Sequence, residues 1–150
     1  MLRAGVLTAV TDGLFSSALV AYYGSTFSSL WQGVASVLLG REAFQGGART
    51  VAIGLAMHFG VALAWSAVFV FLVLRSDRVQ RVLANWHGVL GVAAVYGPCV
   101  WMFMSLVVIP ILVHRPPMIG VRWWVQLVGH FPFVGLPIVA MGARTARSAA

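Results

Sequence analysis

The chain has 150 residues, 61% of them hydrophobic and only 9% charged, with a mean hydropathy of +0.94. Soluble domains carry roughly a quarter charged residues, so this composition excludes one and points to a single integral membrane domain. The net charge of +7 comes from arginines set against Asp12, Glu42 and Asp77, and none of the arginines forms the basic, polar-interleaved run of a nucleic-acid surface. They read as topology markers, and the lipid bilayer is the expected partner. The absence of lysine removes Schiff-base chemistry, and a lone Cys99 removes an intrachain disulfide.

The first apolar segment covers residues 4–22. Gly5, Ala9, Gly13 and Ser17 recur every four residues and form a small ridge on which another helix could pack closely. Beside it Thr8, Asp12 and Ser16 form a polar stripe that holds the only acid embedded in a span. That acid, and the lack of a clear A-x-A site, argue against a cleaved signal peptide.

Residues 30–40 are too short to cross a bilayer but repeat apolar residues at helical spacing, and Ser29 to Gln32 fits a capping box. The segment reads as an amphipathic helix at the interface, with Trp31 among the headgroups, or as a re-entrant hairpin. Gly46 and Gly47 form a hinge that turns the chain into the second span, residues 48–74. This span repeats small residues at Ala52, Ala56, Gly60 and Ala64, a second ridge expected to pack on the first span. His58 lies elsewhere on its surface, in line with Gly54 and Ala62.

A short polar loop with Arg75, Arg78 and Arg81 leads to the third span, residues 86–112, in which Pro98 predicts a hinge. The fourth span, residues 123–141, starts at Trp123 and Trp124 and holds His130, with Pro132 and Pro137 opposing regular helix. Trp31, Trp86, Trp123 and Trp124 fit interfacial belts, and Trp65 and Trp101 read as interior filling or lipid contacts. The expected fold is an all-α membrane protein: a four-transmembrane-helix bundle with a short amphipathic or re-entrant helix between spans one and two. Six arginines (Arg3, Arg75, Arg78, Arg81, Arg144 and Arg147) fall on the side of both termini, against Arg41, Arg49, Arg115 and Arg122 on the other. That bias favours cytoplasmic termini.

Ionisable groups inside a span are costly unless paired or solvated, which makes Asp12, His58 and His130 the site candidates. Counting from the span ends puts His58 and His130 level with each other and Asp12 several ångströms nearer the cytoplasm. Two facing histidines are the minimum for axial ligation of haem b. A metal site needs a third ligand, and Asp12 is too far away on this count. The plainer alternative has each imidazole donating to a carbonyl of a neighbouring helix freed by Pro98, Pro132 or Pro137. Asp12 likewise reads either as a hydrogen-bonded structural group or as a relay for protons or small solutes. No catalytic signature occurs: G-x-S-x-G, H-E-x-x-H, the P-loop and C-x-x-C are all missing.

The runs LLGREAFQGGARTVAIGLAMHF (38–59) and GHFPFVGLPI (129–138) resemble a group of small bacterial inner-membrane proteins, the YagU-like proteins. Asp12, the Gly46–Gly47 pair, His58 and His130 match that pattern, whereas Ser28 and Ser29 stand where it has a proline. The resemblance implies architecture and an inner-membrane location and carries no activity. The residues themselves leave three readings. A non-enzymatic packing or accessory subunit, as a homo-oligomer or in a larger membrane complex, comes first. A haem-binding redox subunit and a translocator of protons or small solutes through Asp12 follow.

Overall fold

Four helices are long and apolar enough to cross a membrane: Leu2–Tyr22, Gly47–Leu72, Trp86–Val113 and Val121–Thr145. The computed structural model describes the backbone of residues 1–149, and the side chains among them except those of residues 73, 74 and 146–149. Arg147, one of the six arginines on the terminal side, therefore lies outside the described side chains. Among the described residues there is no strand, and the chain is an all-α, multi-pass membrane protein.

The prolines act through geometry that hydropathy does not reveal. Helix runs unbroken through Pro98, and the departure from α geometry comes instead in a π turn at Met104–Val108. In the fourth span Pro132 and Pro137 produce a second π turn, Phe131–Gly135, after which helix resumes and runs to Ala149, well past the expected end. Pro137 has no N–H to give to the carbonyl of Phe133 four residues back. The hydroxyl of Thr11 on the first span donates to that carbonyl at 2.7 Å, so the fault in one helix becomes a tie between two.

Gly46 and Gly47 do turn the chain into the second span, and Gly47 takes φ +55, a left-handed conformation that a Cβ would strain. The short helix before them runs Phe27–Leu39 and continues as a 3₁₀ segment, Gly40–Gln45. It begins three residues earlier than expected. The Thr26 hydroxyl accepts from Ser29 N–H at 3.1 Å while Ser29 Oγ accepts from Thr26 N–H at 3.2 Å, so Ser29 is the far partner of the capping box and not its start. The expected polar loop after the second span also contains a short helix, Asp77–Val82, capped by the Ser76 side chain.

Neighbouring spans run antiparallel, and the first span uses its small ridge to approach the second. A Cβ on Gly5 would come within 2.6 Å of Leu63, and Ala9 and Gly13 are buried on the same face. The matching expectation for the second span is corrected: Ala52, Ala56, Gly60 and Ala64 are all exposed. The inward face is the parallel stripe of Gly54, His58, Ala62 and Ser66, with Phe69 beyond. Both stripes are small enough to pack, but only one carries an imidazole, whose N–H would be left without a partner against hydrocarbon.

At the end of the bundle that carries both termini, Phe69, Leu83, Val89, Ala93, Val100, Val134, Ile138 and Val139 form a continuous buried core. The third and fourth spans touch there backbone to backbone. A Cβ on Gly97 would overlap the carbonyl of His130, and one on Gly135 would overlap that of Ala93. The second and third spans are joined by side chains instead: Tyr96 donates to the Trp65 carbonyl at 2.7 Å and packs edge-on against Phe69 at 4.9 Å.

A candidate site: a cavity between the spans

The other end of the bundle is open inside. The Phe27–Leu39 helix crosses it, packing on the first and second spans and reaching the end of the third at residues 109–113. Its closest approach is where Gly54 of the second span leaves room for the Trp31 carbonyl. Trp31 is therefore not an interfacial residue. It is 2% exposed, and its ring meets His58 edge-on at 5.0 Å. Trp123 is corrected likewise, being buried with its indole N–H donating to Ser105 Oγ at 2.9 Å, whereas Trp86 and Trp124 are exposed as expected of belt residues.

Beneath the crossing helix lies a cavity of about 620 Å³. All three sequence candidates line it. Thr8, Asp12 and Ser16 enter from the first span, His58 from the second, Trp101 from the third, and Arg122, Gln126 and His130 from the fourth. Val61, Ala62, Trp65, Val100 and Met104 supply apolar wall.

Within it His58 Nε2 donates to the Ala9 carbonyl at 3.0 Å and stands 3.9 Å from Asp12 Oδ2. Asp12 is thus level with His58, not displaced toward the termini. The depths counted from sequence, about 12 Å and 14 Å from opposite faces, leave only about 4 Å of a ~30 Å core between the two groups, a gap that helix tilt easily closes. His130 does not mirror His58. Its Nδ1 donates to the Gln126 carbonyl of its own helix at 2.7 Å, and its ring lies 4.8 Å from that of Trp101. Neither carbonyl is one freed by a proline; Ala9 and Gln126 accept through a second lone pair.

The pattern of satisfied and unsatisfied groups is uneven. Among the described residues six buried side-chain atoms have no hydrogen-bond partner; Thr8 Oγ1, Asp12 Oδ1, Trp101 Nε1 and Gln126 Oε1 belong to residues lining this cavity, and Trp31 Nε1 and Ser66 Oγ do not. Thr8 is 1% exposed and Asp12 9% exposed, so neither is rescued by an open surface. Each such group costs about 1–3 kcal/mol when left unpaired in the interior. Ser16 is half-buried and 3.5 Å from Gln126 Nε2, a long contact. Ser17 bonds back to the Gly13 carbonyl at 2.7 Å.

Neither ligand set weighed from the sequence is assembled here. Among the described residues no group of three His, Cys, Asp or Glu side chains comes together as a metal's ligands would. Haem b fits poorly, because the nitrogen that His58 would give to iron is already donating to Ala9.

Gln126 and Arg122 were not singled out by the sequence as cavity residues, and Trp101 read as interior filling or a lipid contact. A signal was present: Arg122, Gln126 and His130 repeat at i, i+4, like Thr8, Asp12 and Ser16 on the first span. Two polar stripes of equal length on antiparallel helices are what a shared polar interior requires. In comparisons with protein-family models, with curated proteins and with solved structures, nothing matches this chain.

Proposed function

We propose that the protein takes a small solute into the cavity between its four spans, with Asp12 as the central polar group, in the course of moving that solute across the membrane. The observation that supports this is the set of four unpartnered buried atoms, Thr8 Oγ1, Asp12 Oδ1, Trp101 Nε1 and Gln126 Oε1, gathered around one space. A bundle built only for packing gains nothing from them, since apolar isosteres would remove their desolvation cost. The haem reading is not carried forward, for the reason of the occupied His58 nitrogen.

The test is access. In a Cys99→Ala background reconstituted in liposomes, Ser16→Cys should react with a membrane-impermeant maleimide from one face of the bilayer. Ala93→Cys, in the packed end, should react from neither. A Ser16→Cys protein that stays unlabelled from both faces would sink the proposal.

A second reading rests on a different surface. The stripe of Ala52, Ala56, Gly60 and Ala64 faces outward, and a Cβ on Gly60 meets nothing within 4 Å. This favours a homo-oligomer, or docking on a larger membrane complex, through close helix approach. Native-detergent sizing should give an oligomer that Gly60→Leu reduces to a monomer; a parent protein that is monomeric throughout removes this reading. A bacterial inner-membrane location with cytoplasmic termini follows from the arginine bias and the YagU-like resemblance, and reporter fusions at the two ends check it.

A further inference from the structure

The cavity's free hydrogen-bonding atoms are not balanced, and the imbalance specifies a ligand. The inference rests on the solute-binding reading above and adds the substrate class. Gln126 Oε1 can only accept, and an Asp12 carboxylate likewise offers Oδ1 as an acceptor. His130 joins them in its neutral form. Its Nδ1 holds the proton given to the Gln126 carbonyl, which leaves Nε2 bare and accepting. On the donor side stands Trp101 Nε1, and Thr8 Oγ1 serves either way. Gln126 Nε2 keeps a second N–H beyond its long contact to Ser16, so acceptors outnumber dedicated donors by three to two, the Arg122 guanidinium aside.

We infer that the cavity binds a protonated amine, an organic ammonium with a small apolar body, whose N–H groups go to Asp12 Oδ1 and Gln126 Oε1. An ammonium has three donors and no acceptor, which is the complement of this set. Its charge makes the bond to the Asp12 carboxylate the strong one. The apolar body lies against Val61, Val100 and Met104, and the faces of Trp65 and Trp101 attract a cation. Two basic groups also face the space and do not oppose this assignment. His58 Nε2 is directed to Ala9 and Asp12 Oδ2, leaving the buried Oδ1 without a partner. Arg122 lies about 12 Å along the helix from His130, with its guanidinium held over Tyr23 at 4.6 Å.

The experiment uses the whole protein in lipid nanodiscs and three probes of one shape: benzylammonium, benzyl alcohol and benzoate, titrated by calorimetry. Benzylammonium should bind and benzoate should not, with benzyl alcohol weaker by about tenfold or more. Gln126→Met should weaken benzylammonium several-fold, and Asp12→Asn should weaken it about tenfold or more, whereas Trp101→Phe should retain it. Should Asp12→Asn fail to fold, the opposed effects of Gln126→Met and Trp101→Phe decide the matter alone. Benzoate or benzyl alcohol binding as tightly as the amine overturns the substrate class. If Ser16→Cys is labelled from one face while benzylammonium does not bind, the cavity reading survives and the amine does not. If Ser16→Cys is unlabelled, both fall together.

Discussion

The two ends of the bundle are made from the same four helices and solve opposite problems. The terminal end closes Phe69, Leu83, Val89, Ala93 and Val139 into a buried core, with glycines at the points where backbones meet. The other end keeps its helices apart, lays a short helix across them and sets a few polar side chains into a mostly apolar wall. Of the buried atoms without partners among the described residues, all but Ser66 Oγ belong to the open end. Stability and capacity are segregated along the helix axis: one end holds the fold, which frees the other to carry groups that weaken it.

That division is open to direct attack, and the expected effects fall in a definite order. The largest belongs to the packed end. Gly97→Val drives a branched side chain into the His130 carbonyl and the backbone of Gly135, where no flexible group can yield, and about 3 kcal/mol or more of stability should be lost. Thermal unfolding in detergent measures it, and a variant as stable as the parent would mean that the third and fourth spans do not close as described. An intermediate effect belongs to the crossing helix. Thr26→Ala removes its N-cap and should cost about 1 kcal/mol, seen as faster backbone hydrogen exchange over residues 27–39 while the packed end stays protected. Exchange that rises equally at both ends would contradict their independence. The smallest effect belongs to the cavity wall. Thr8→Val removes an unpartnered hydroxyl at constant shape, so stability should change by less than about 1 kcal/mol, and in the favourable direction. A loss of several kcal/mol there would show that Thr8 is a structural tie and that the division is drawn wrongly.

The two ends of the bundle are not equally legible in the sequence. Small residues in the first span announced close packing correctly, since Gly5, Ala9 and Gly13 do face the second span. The same four-residue spacing in the second span misled, because spacing identifies a stripe and not the direction it faces. His58 decided that direction. A polar side chain in hydrocarbon needs a partner, and the Ala9 carbonyl on the first span provides one. Trp31 and Trp123 were misplaced for a related reason: tryptophan suits both interfaces and crowded interiors, and a linear sequence does not distinguish them.

Four spans, their alternation, the turn at Gly46–Gly47 and the identity of the polar residues were all determined by the sequence itself. Apolar run length, glycine's conformational freedom and the cost of charge in lipid act locally, within one helix or one turn. Which stripes meet, how Thr11 compensates for Pro137, and the convergence of Asp12, His58, Gln126 and His130 on one cavity were decided only in the tertiary structure. Those outcomes depend on helix rotation and tilt, and rotation is set by the partner each buried polar group can reach on another helix.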